Sequence, residues 1–403
     1  MFEEIVPEYS LNEQEVLDIK ASKAPKKQYC PYFEECGGCQ LLSWDYAKQV
    51  EWKKAKLAET FKRDLPFIEA ESITAYRHKN NFSYKQDKLN IIAGYFKPKS
   101  HRLMNIKHCL IQDPIAEKIF LDIKEIMRKT RILPYDETRG EGVLRHALVR
   151  VSNATKEVML TLVVGQSPFP GRKNFIQAIR NAHPEITTII ENVHPEKSPY
   201  LLGKKDSVVF GRGTIEEHLL NKTFFLQSRT FFQVHVPQAE KLFSEMMKRS
   251  AFSQDDVVVD AYAGVGVIGM LVADKVKAVI SVESNPDSIA IGQKNAKYNR
   301  LDNMRFIKAD ATQWIQETKE TFNVLIMDPP RSGAGEGFMI EVLKKAPKKI
   351  IYISCNPLTQ VQDIRILGKR YVVKDNFGID LFPQTVHVEC VILMQRSGIK
   401  DKK

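Results

Sequence analysis

Residues 255–274 read DDVVVDAYAGVGVIGMLVAD. An apolar run is followed at once by Gly264-x-Gly266-x-x-Gly269, which opens an amphipathic stretch. The pattern predicts a strand, a tight glycine turn and a helix. Glycines let the backbone turn sharply and approach a ligand closely, beside a helix N-terminus. The next strand, AVISVESN (278–285), ends in Glu283, which is 19 residues beyond Gly264 and placed to bind a ribose diol. At this point NAD and S-adenosylmethionine both remain open.

Three further strand ends separate them. RFIKAD (305–310) places Asp310 where an adenine amino group would lie, and FNVLIMDPPR (322–331) stops a fourth strand at Asp328-Pro329-Pro330. This series of acidic strand ends resembles a class I methyltransferase. A fifth strand, KKIIYISCNP (348–357), delivers Cys355 to the same carboxyl edge, where open α/β sheets bind ligands. A core cysteine belongs inside a strand, not at its exit before Asn-Pro. DNFGIDLFP (375–383) and HVECVILMQ (387–395) complete a seven-strand pattern, with Glu389 opening the last strand. The fold expected from residue 217 onward is α/β and Rossmann-like, a doubly wound sheet.

A thiol beside a methyl donor suits one chemistry in particular. Carbon 5 of a pyrimidine is too weak a nucleophile to take a methyl group unaided. A thiolate adding to C6 moves electron density onto C5, and a base must later remove the C5 proton so that the thiol can leave. Glu389 is the candidate base and Cys355 the candidate nucleophile. Adjacent Cys390 points to the opposite face by strand alternation and reads as core.

Upstream, residues 70–216 alternate short β-like runs with two helical stretches, IAEKIFLDIKEIMRKTR and GRKNFIQAIRNA, giving a central α+β domain. Residues 29–69 hold three cysteines and a helix over 41–63 with its Lys residues on the outer face, and residues 1–28 read as an acidic tail and linker. The net charge is +11, and residues 20–110 carry 18 Lys and Arg against 9 Asp and Glu, interleaved with aromatics. Phosphates would take that charge and unstacked bases the rings, although a solvated basic face reads the same way. Arg77, Lys79, Lys85 and Arg102 are the candidate RNA contacts. No apolar run approaches the roughly 18–20 residues of a membrane span. The first 19 residues contain no Lys or Arg. They do not read as a targeting peptide, so a cytoplasmic protein is expected.

Cys30-x5-Cys36-x2-Cys39, with distant Cys109 in IKHCLIQD, supplies four thiols. By spacing, structural zinc and a [4Fe–4S] cluster compete.

CPYFEECGGCQ, FFQ, DAYAGVGVIG, DPPRSG, SCNP and HVEC, in this order over about residues 29–395, resemble the RNA uracil-C5 methyltransferases, which make 5-methyluridine in ribosomal and transfer RNA. The resemblance is to the iron–sulfur-containing 23S rRNA type. It implies Cys355 as nucleophile and Glu389 as base. It also implies Gln233, Tyr262, Gly264, Glu283, Asp310 and Asp328 at the cofactor and target-base pocket, and S-adenosylmethionine as cofactor. Cys30, Cys36, Cys39 and Cys109 are implied as ligands of a closed [4Fe–4S] cluster. Phe231 would stack on an extruded uracil, because such enzymes must take the base out of its stack. Two positions depart from the family pattern, His235 for Asn and Val267 for Asn. Only 29 residues precede Cys30, too few for the N-terminal β-barrel of many relatives, so target choice is expected to lean on the basic and central regions. The partner implied is RNA, with 23S rRNA first and the T-loop of tRNA second, and neither DNA nor a membrane. The chain is expected to act as a monomer. An RNA cytosine-C5 methyltransferase would carry Pro-Cys after the fourth strand, where this chain has Asp328-Pro329-Pro330. A non-catalytic RNA-binding assembly factor would not need Cys355, Glu389 and Asp328 intact.

Overall fold

The computed structural model describes residues 6–198 and 200–398. Glu3 and Glu4 of the acidic tail and the terminal KDKK lie outside them.

The N-terminal segment holds α1 (Glu13–Ala21), the one-turn α2 (Phe33–Cys36), α3 (Tyr46–Phe61) and a two-residue strand, β1 (Phe67–Ile68). Asn12 and Glu15 close a capping box at the start of α1, and Asp45 caps α3 through the Lys48 N–H, satisfying N–H groups that lack partners within the helix. Residues 7–28 are therefore not a free linker. Gln28 is buried, and Tyr9 reaches α3, donating to the Lys56 carbonyl at 3.1 Å and lying 2.6 Å from Thr60 Oγ1.

The central domain comprises β2 (Lys79–Asp87), β3 (Asn90–Gly94), α4 (Pro114–Thr130), β4 (Leu144–Val151), β5 (Val158–Val164), α5 (Arg172–Ala182), β6 (Ile186–Val193) and β7 (Lys205–Phe210). Its sheet runs β3-β2-β4-β5-β6-β7 and is antiparallel except where α5 carries the chain from β5 to a parallel β6. β5 is buried along its whole length, because the apolar faces of α4 and α5 share its core.

A hairpin, β8 (Ile215–Leu219) and β9 (Lys222–Leu226), joins the two halves. It begins before residue 217 and packs into the C-terminal core through Ile215, Leu219, Phe224 and Leu226. That half alternates α6 (Val236–Ser250), β10 (Val257–Ala261), α7 (Val267–Val272), β11 (Ala278–Glu283), α8 (Pro286–Tyr298), β12 (Met304–Lys308), α9 (Ala311–Glu317), β13 (Val324–Met327), α10 (Glu336–Lys345), β14 (Lys349–Ser354), α11 (Pro357–Leu367), β15 (Tyr371–Ile379) and β16 (Glu389–Arg396). Its sheet has eight strands, one more than the sequence suggested, in the order β1-β15-β16-β14-β13-β10-β11-β12. The extra strand is β1, too short to read from sequence, which pairs parallel with the end of β15. β16 is antiparallel to both neighbours, so it starts where the parallel strands end. Strand order reverses between β10 and β13, which opens a crevice above their carboxyl ends.

The outer-face reading of the lysines of α3 fails at Lys53. That side chain is fully buried and pairs with fully buried Asp380 at 2.7 Å, while also donating to the Phe382 carbonyl at 3.1 Å. Tyr46 donates to the second Asp380 oxygen at 3.2 Å. Gln49 and Gln384 exchange two further bonds beside the pair. The loop 380–388 that leads into Glu389 is thus held by α3. Removing one member of a buried pair strands the other charge, at a cost of about 3–5 kcal/mol. Asp380→Asn is expected to lower stability by about that much in denaturant titration. The Lys53→Met/Asp380→Leu double variant should recover most of the loss. A single variant within experimental error of the native protein would show that the pair is not holding the loop.

Candidate active site

Register places the site. Ala261 pairs with Val282 on one side and Met327 on the other, so the next residues, Tyr262, Glu283 and Asp328, leave the sheet at one level. Ser354 pairs with Cys390, which sets Cys355 beside Glu389 one step past the ladder. These five residues line a single cavity of about 720 Å³ together with Gly264, Val267, Phe231, Gln233, Arg77, Arg331 and His387.

The glycine turn is built from below by an acid that sequence reading passed over. Asp260, buried at the end of β10, accepts from the Gly269 N–H at 2.9 Å. A Cβ on Gly269 would come within 2.9 Å of the same carboxylate oxygen, so only glycine allows the contact. Glu283 fixes the other side of the turn, accepting from the Gly264 N–H at 2.8 Å and the Asn285 N–H at 2.7 Å. Gly264 has φ +56°, and an added Cβ there would meet nothing within 4 Å. The turn therefore presents open backbone and a carboxylate to the cavity, a donor and acceptor set that fits the ribose and amino-acid ends of S-adenosylmethionine.

Asp310 carries a structural contact that the sequence reading did not give it. It does not line the cavity; its Oδ1 caps α9, accepting from the Thr312 and Gln313 N–H groups. Phe231 is 66% exposed while Phe232, next to it, is buried. The alternation is fixed by Thr230, which is buried and gripped by the Arg150 guanidinium. An aromatic ring is thereby held out at the cavity mouth. Of the two departures, Val267 lines the cavity. His235 is buried, stacked on Tyr76 at 4.7 Å, with Nδ1 3.2 Å from the Leu381 carbonyl. Burial pushes its pKa down to about 4, so it is a neutral packing residue.

The charges around Cys355 oppose one another. Burial pushes the thiol up to about 12, Glu389 and Asp328 push it the same way, and Arg331, which lines the same cavity, pulls it down. Burial and Asp328 raise Glu389 well above the usual carboxylate range, against Arg331. Burial likewise raises Asp328. The sequence reading gave Arg331 no role. Its Nη2 lies 2.6 Å from His387 Nδ1, and its carbonyl accepts from Asn356 Nδ2 at 2.9 Å and Thr359 Oγ1 at 3.1 Å. The only sequence signal for it was the motif that contains it. Cys390 is fully buried in the core.

Of the four candidate RNA contacts, Arg77 lines the cavity, whereas Lys85 and Arg102 are exposed on the β2–β3 side, away from it. Lys79 stands directly opposite Arg150 across β2 and β4. Burial, Arg150 and Arg77 push it down to about 7. Among the described residues, none of these three cations forms an ion pair.

Cys30, Cys36, Cys39 and Cys109 wall one small apolar cavity with Tyr32, Phe33, Leu42, Tyr95 and Ile106. Among the described residues no three His, Cys, Asp or Glu side chains are gathered to hold a metal ion. Four soft thiol donors, brought to one apolar cavity from two distant stretches of chain, are a donor set that suits a metal centre. Among the described residues no helix is long and apolar enough to cross a membrane.

Residues 45–397 match the family described as tRNA (uracil-5-)-methyltransferase. A Listeria monocytogenes serovar 1/2a protein described as an uncharacterized RNA methyltransferase is 33% identical over 421 residues, 99% of this chain and 91% of its own. A Staphylococcus aureus (strain N315) protein described in the same words is 32% identical over 376 residues, covering 90% and 83%. The crystal structure of the Pyrococcus abyssi tRNA (uracil-54, C5)-methyltransferase with S-adenosyl-L-homocysteine superposes with a TM-score of 0.75 at 25% identity. It covers 89% of this chain and 86% of that one.

The elevated acids make a pH prediction. Asp260 is raised to about 7 by burial, with Asp328 and Glu283 adding to it and the Gly269 N–H opposing. Between about pH 4 and 7 the unfolded chain ionises this group while the native state keeps its proton, so its contribution to stability is lost as pH rises. Asp260→Asn removes the titration. The stability of the native protein relative to this variant should fall between pH 4.5 and 7.5 in denaturant titration, and a flat or rising difference would refute the buried acid.

Proposed function

The chain belongs to the tRNA (uracil-5-)-methyltransferase family and is an RNA uracil methyltransferase; from that premise we propose that Cys355 and Glu389 carry out the methylation, on a uridine of structured RNA, most directly 23S rRNA. The observation that carries this reading is the convergence of Cys355, Glu389 and Asp328 with the glycine turn on one cavity.

Bound over that turn, S-adenosylmethionine supplies a methyl group on a sulfonium. The residues do the rest. Phe231 holds the extruded ring at the mouth. Cys355 gives up its proton to solvent and adds as thiolate to C6, forming the S–C6 bond and sending the electron pair through C5 to O4 as an enolate. C5 then takes the methyl group as the bond to the sulfonium breaks and S-adenosylhomocysteine leaves, and ionised Glu389 removes the C5 proton as the S–C6 bond breaks and the thiolate is released. A carboxylate with an elevated pKa is a stronger base once ionised, which suits Glu389 to this step. Arg77 and Lys79 stand half-buried beside buried Arg150, neither of the two in an ion pair among the described residues, and RNA phosphates are their natural counter-charge. Lys85 and Arg102 would extend that surface outward.

The four cysteines belong to the proposal as ligands of a structural [4Fe–4S] cluster, supported by their spacing around one apolar cavity. A closed cluster supplies no chemistry to methyl transfer; it ties the N-terminal segment to the central domain. Anaerobically purified protein should contain close to four iron and four sulfide per chain. Zinc in their place would overturn the assignment.

The rRNA reading leans on this cysteine set, and the second reading, tRNA, is favoured by the solved structural relative. RNA fragments carrying 5-fluorouridine distinguish them, because fluorine at C5 cannot be removed as a proton and the adduct persists. The native chain should form a denaturation-resistant adduct with one RNA and not the other, and Cys355→Ala should form none. No adduct from the native chain with either RNA would sink the mechanism.

A further inference from the structure

We propose that the N-terminal segment Pro7–Tyr9 is a working part of the active site, with Glu8 as a positioning residue that holds the Arg331 guanidinium against Cys355. The inference rests on the reading of Cys355 as nucleophile and adds a residue from a segment that no motif marks.

Three contacts fix the segment where the chemistry is. The Pro7 carbonyl accepts from Asn356 Nδ2 at 2.8 Å, and Asn356 directly follows Cys355. The Glu8 carboxylate pairs with Arg331 Nη1 at 2.7 Å. Tyr9 anchors the far end on α3, bonded to Thr60 and edge-on to Trp52 at 6.3 Å. Between them lies a small cavity, walled by Glu8 and Tyr9 on one side and by Cys355, Arg331 and His387 on the other. The segment forms the back of the catalytic cysteine.

Arg331 needs this help. It is the cation that opposes the raising effect of Glu389 and Asp328 on the thiol. Yet its side chain is 41% exposed. A long flexible side chain with that much solvent around it samples many rotamers unless both ends of its fork are held. His387 holds Nη2 and Glu8 holds Nη1. Glu8 is itself a negative charge, which by Coulomb's law would weaken the pull of Arg331 on the thiol. It is 48% exposed, where water screens it, whereas Arg331 and Cys355 line the cavity together. Positioning therefore outweighs neutralisation.

The groups facing Cys355 are Glu389 at the start of β16, Asp328 after β13, Arg331 in the following loop and His387 before Glu389, with Glu8 behind Arg331. Only Glu8 can be changed without touching a group that contacts the thiol. Full-length native, Glu8→Ala and Glu8→Asp proteins should be alkylated with iodoacetamide from pH 7 to 10, with modification at Cys355 followed by peptide mass spectrometry. In Glu8→Ala the profile should move to higher pH and the rate at pH 8 should drop about tenfold, since thiolate fraction scales with the shift. Glu8→Asp should restore most of it. Adduct formation with 5-fluorouridine RNA should slow in parallel, with the RNA KM unchanged. An unchanged alkylation profile, or faster alkylation in Glu8→Ala, would overturn the proposal. If the profile shifts as expected while the native chain forms no RNA adduct, the nucleophile reading fails and the positioning role stands.

Discussion

The buried ion pair between Lys53 and Asp380 is the contact on which the geometry of the site depends. It joins a helix near the N-terminus to the loop between the last two strands of the sheet, 327 residues apart along the chain. Neither charge has access to water, so each is tolerable only while the other is present. The pair therefore specifies one position for the loop 380–388. That loop brings Phe382 and His387 to the cavity and delivers Glu389 at the rim beside Cys355. Gln49 with Gln384, and Tyr76 with the Pro383 carbonyl at 3.0 Å, extend the same seam. The N-terminal segment is thus structurally part of the methyltransferase half, although it precedes the central domain in sequence.

The same seam runs across the segment that the sequence reading bounded at residues 29–69. The cysteines of residues 29–69 face the central domain, whereas α3 and β1 of the same segment belong to the C-terminal sheet. A linear boundary cannot describe a segment shared between two cores.

What sequence could show about the site followed from strand periodicity. A parallel strand must end at the carboxyl edge, so Glu283, Asp328 and Cys355 were placed by counting; hydrogen-bond register then puts Glu283 and Asp328 level, with Cys355 two residues further along its strand. Asp310 obeyed the same rule, but its Oδ1 is also taken by the first turn of α9, because an acid before a helix can cap it. Position on an edge was legible; competition for the side chain was not. Lys53 read as solvated because lysine on an amphipathic helix usually is, and its partner lies in a loop with no local signal. Asp260 was hidden by burial inside a strand, and Glu8 by lying in a segment whose charge looked like an acidic tail. For Lys53 and Glu8 the deciding contact is more than 300 residues away along the chain, and composition carries no information about such contacts.

The acids at this edge work in two directions at once. Asp328 and Glu389 crowd the thiol and, with burial, hold it in its protonated form far above neutral pH. A free thiolate would be open to oxidation and stray alkylation, so a protonated resting state protects the nucleophile. The same crowding raises Glu389, and that elevation makes it a better acceptor for the C5 proton at the end of the reaction. Nucleophile and base are therefore tuned by one interaction and cannot be optimised separately. Lowering the thiol by removing acid charge would weaken the base. Arg331 opposes the elevation of both groups, so the place of its guanidinium sets the balance between a usable thiolate and a strong base. It is held at its carbonyl by the Asn356 and Thr359 side chains and by side-chain contacts on both arms of its fork. The number of groups committed to one arginine is what a site requires when its nucleophile must be silent at rest and available on demand.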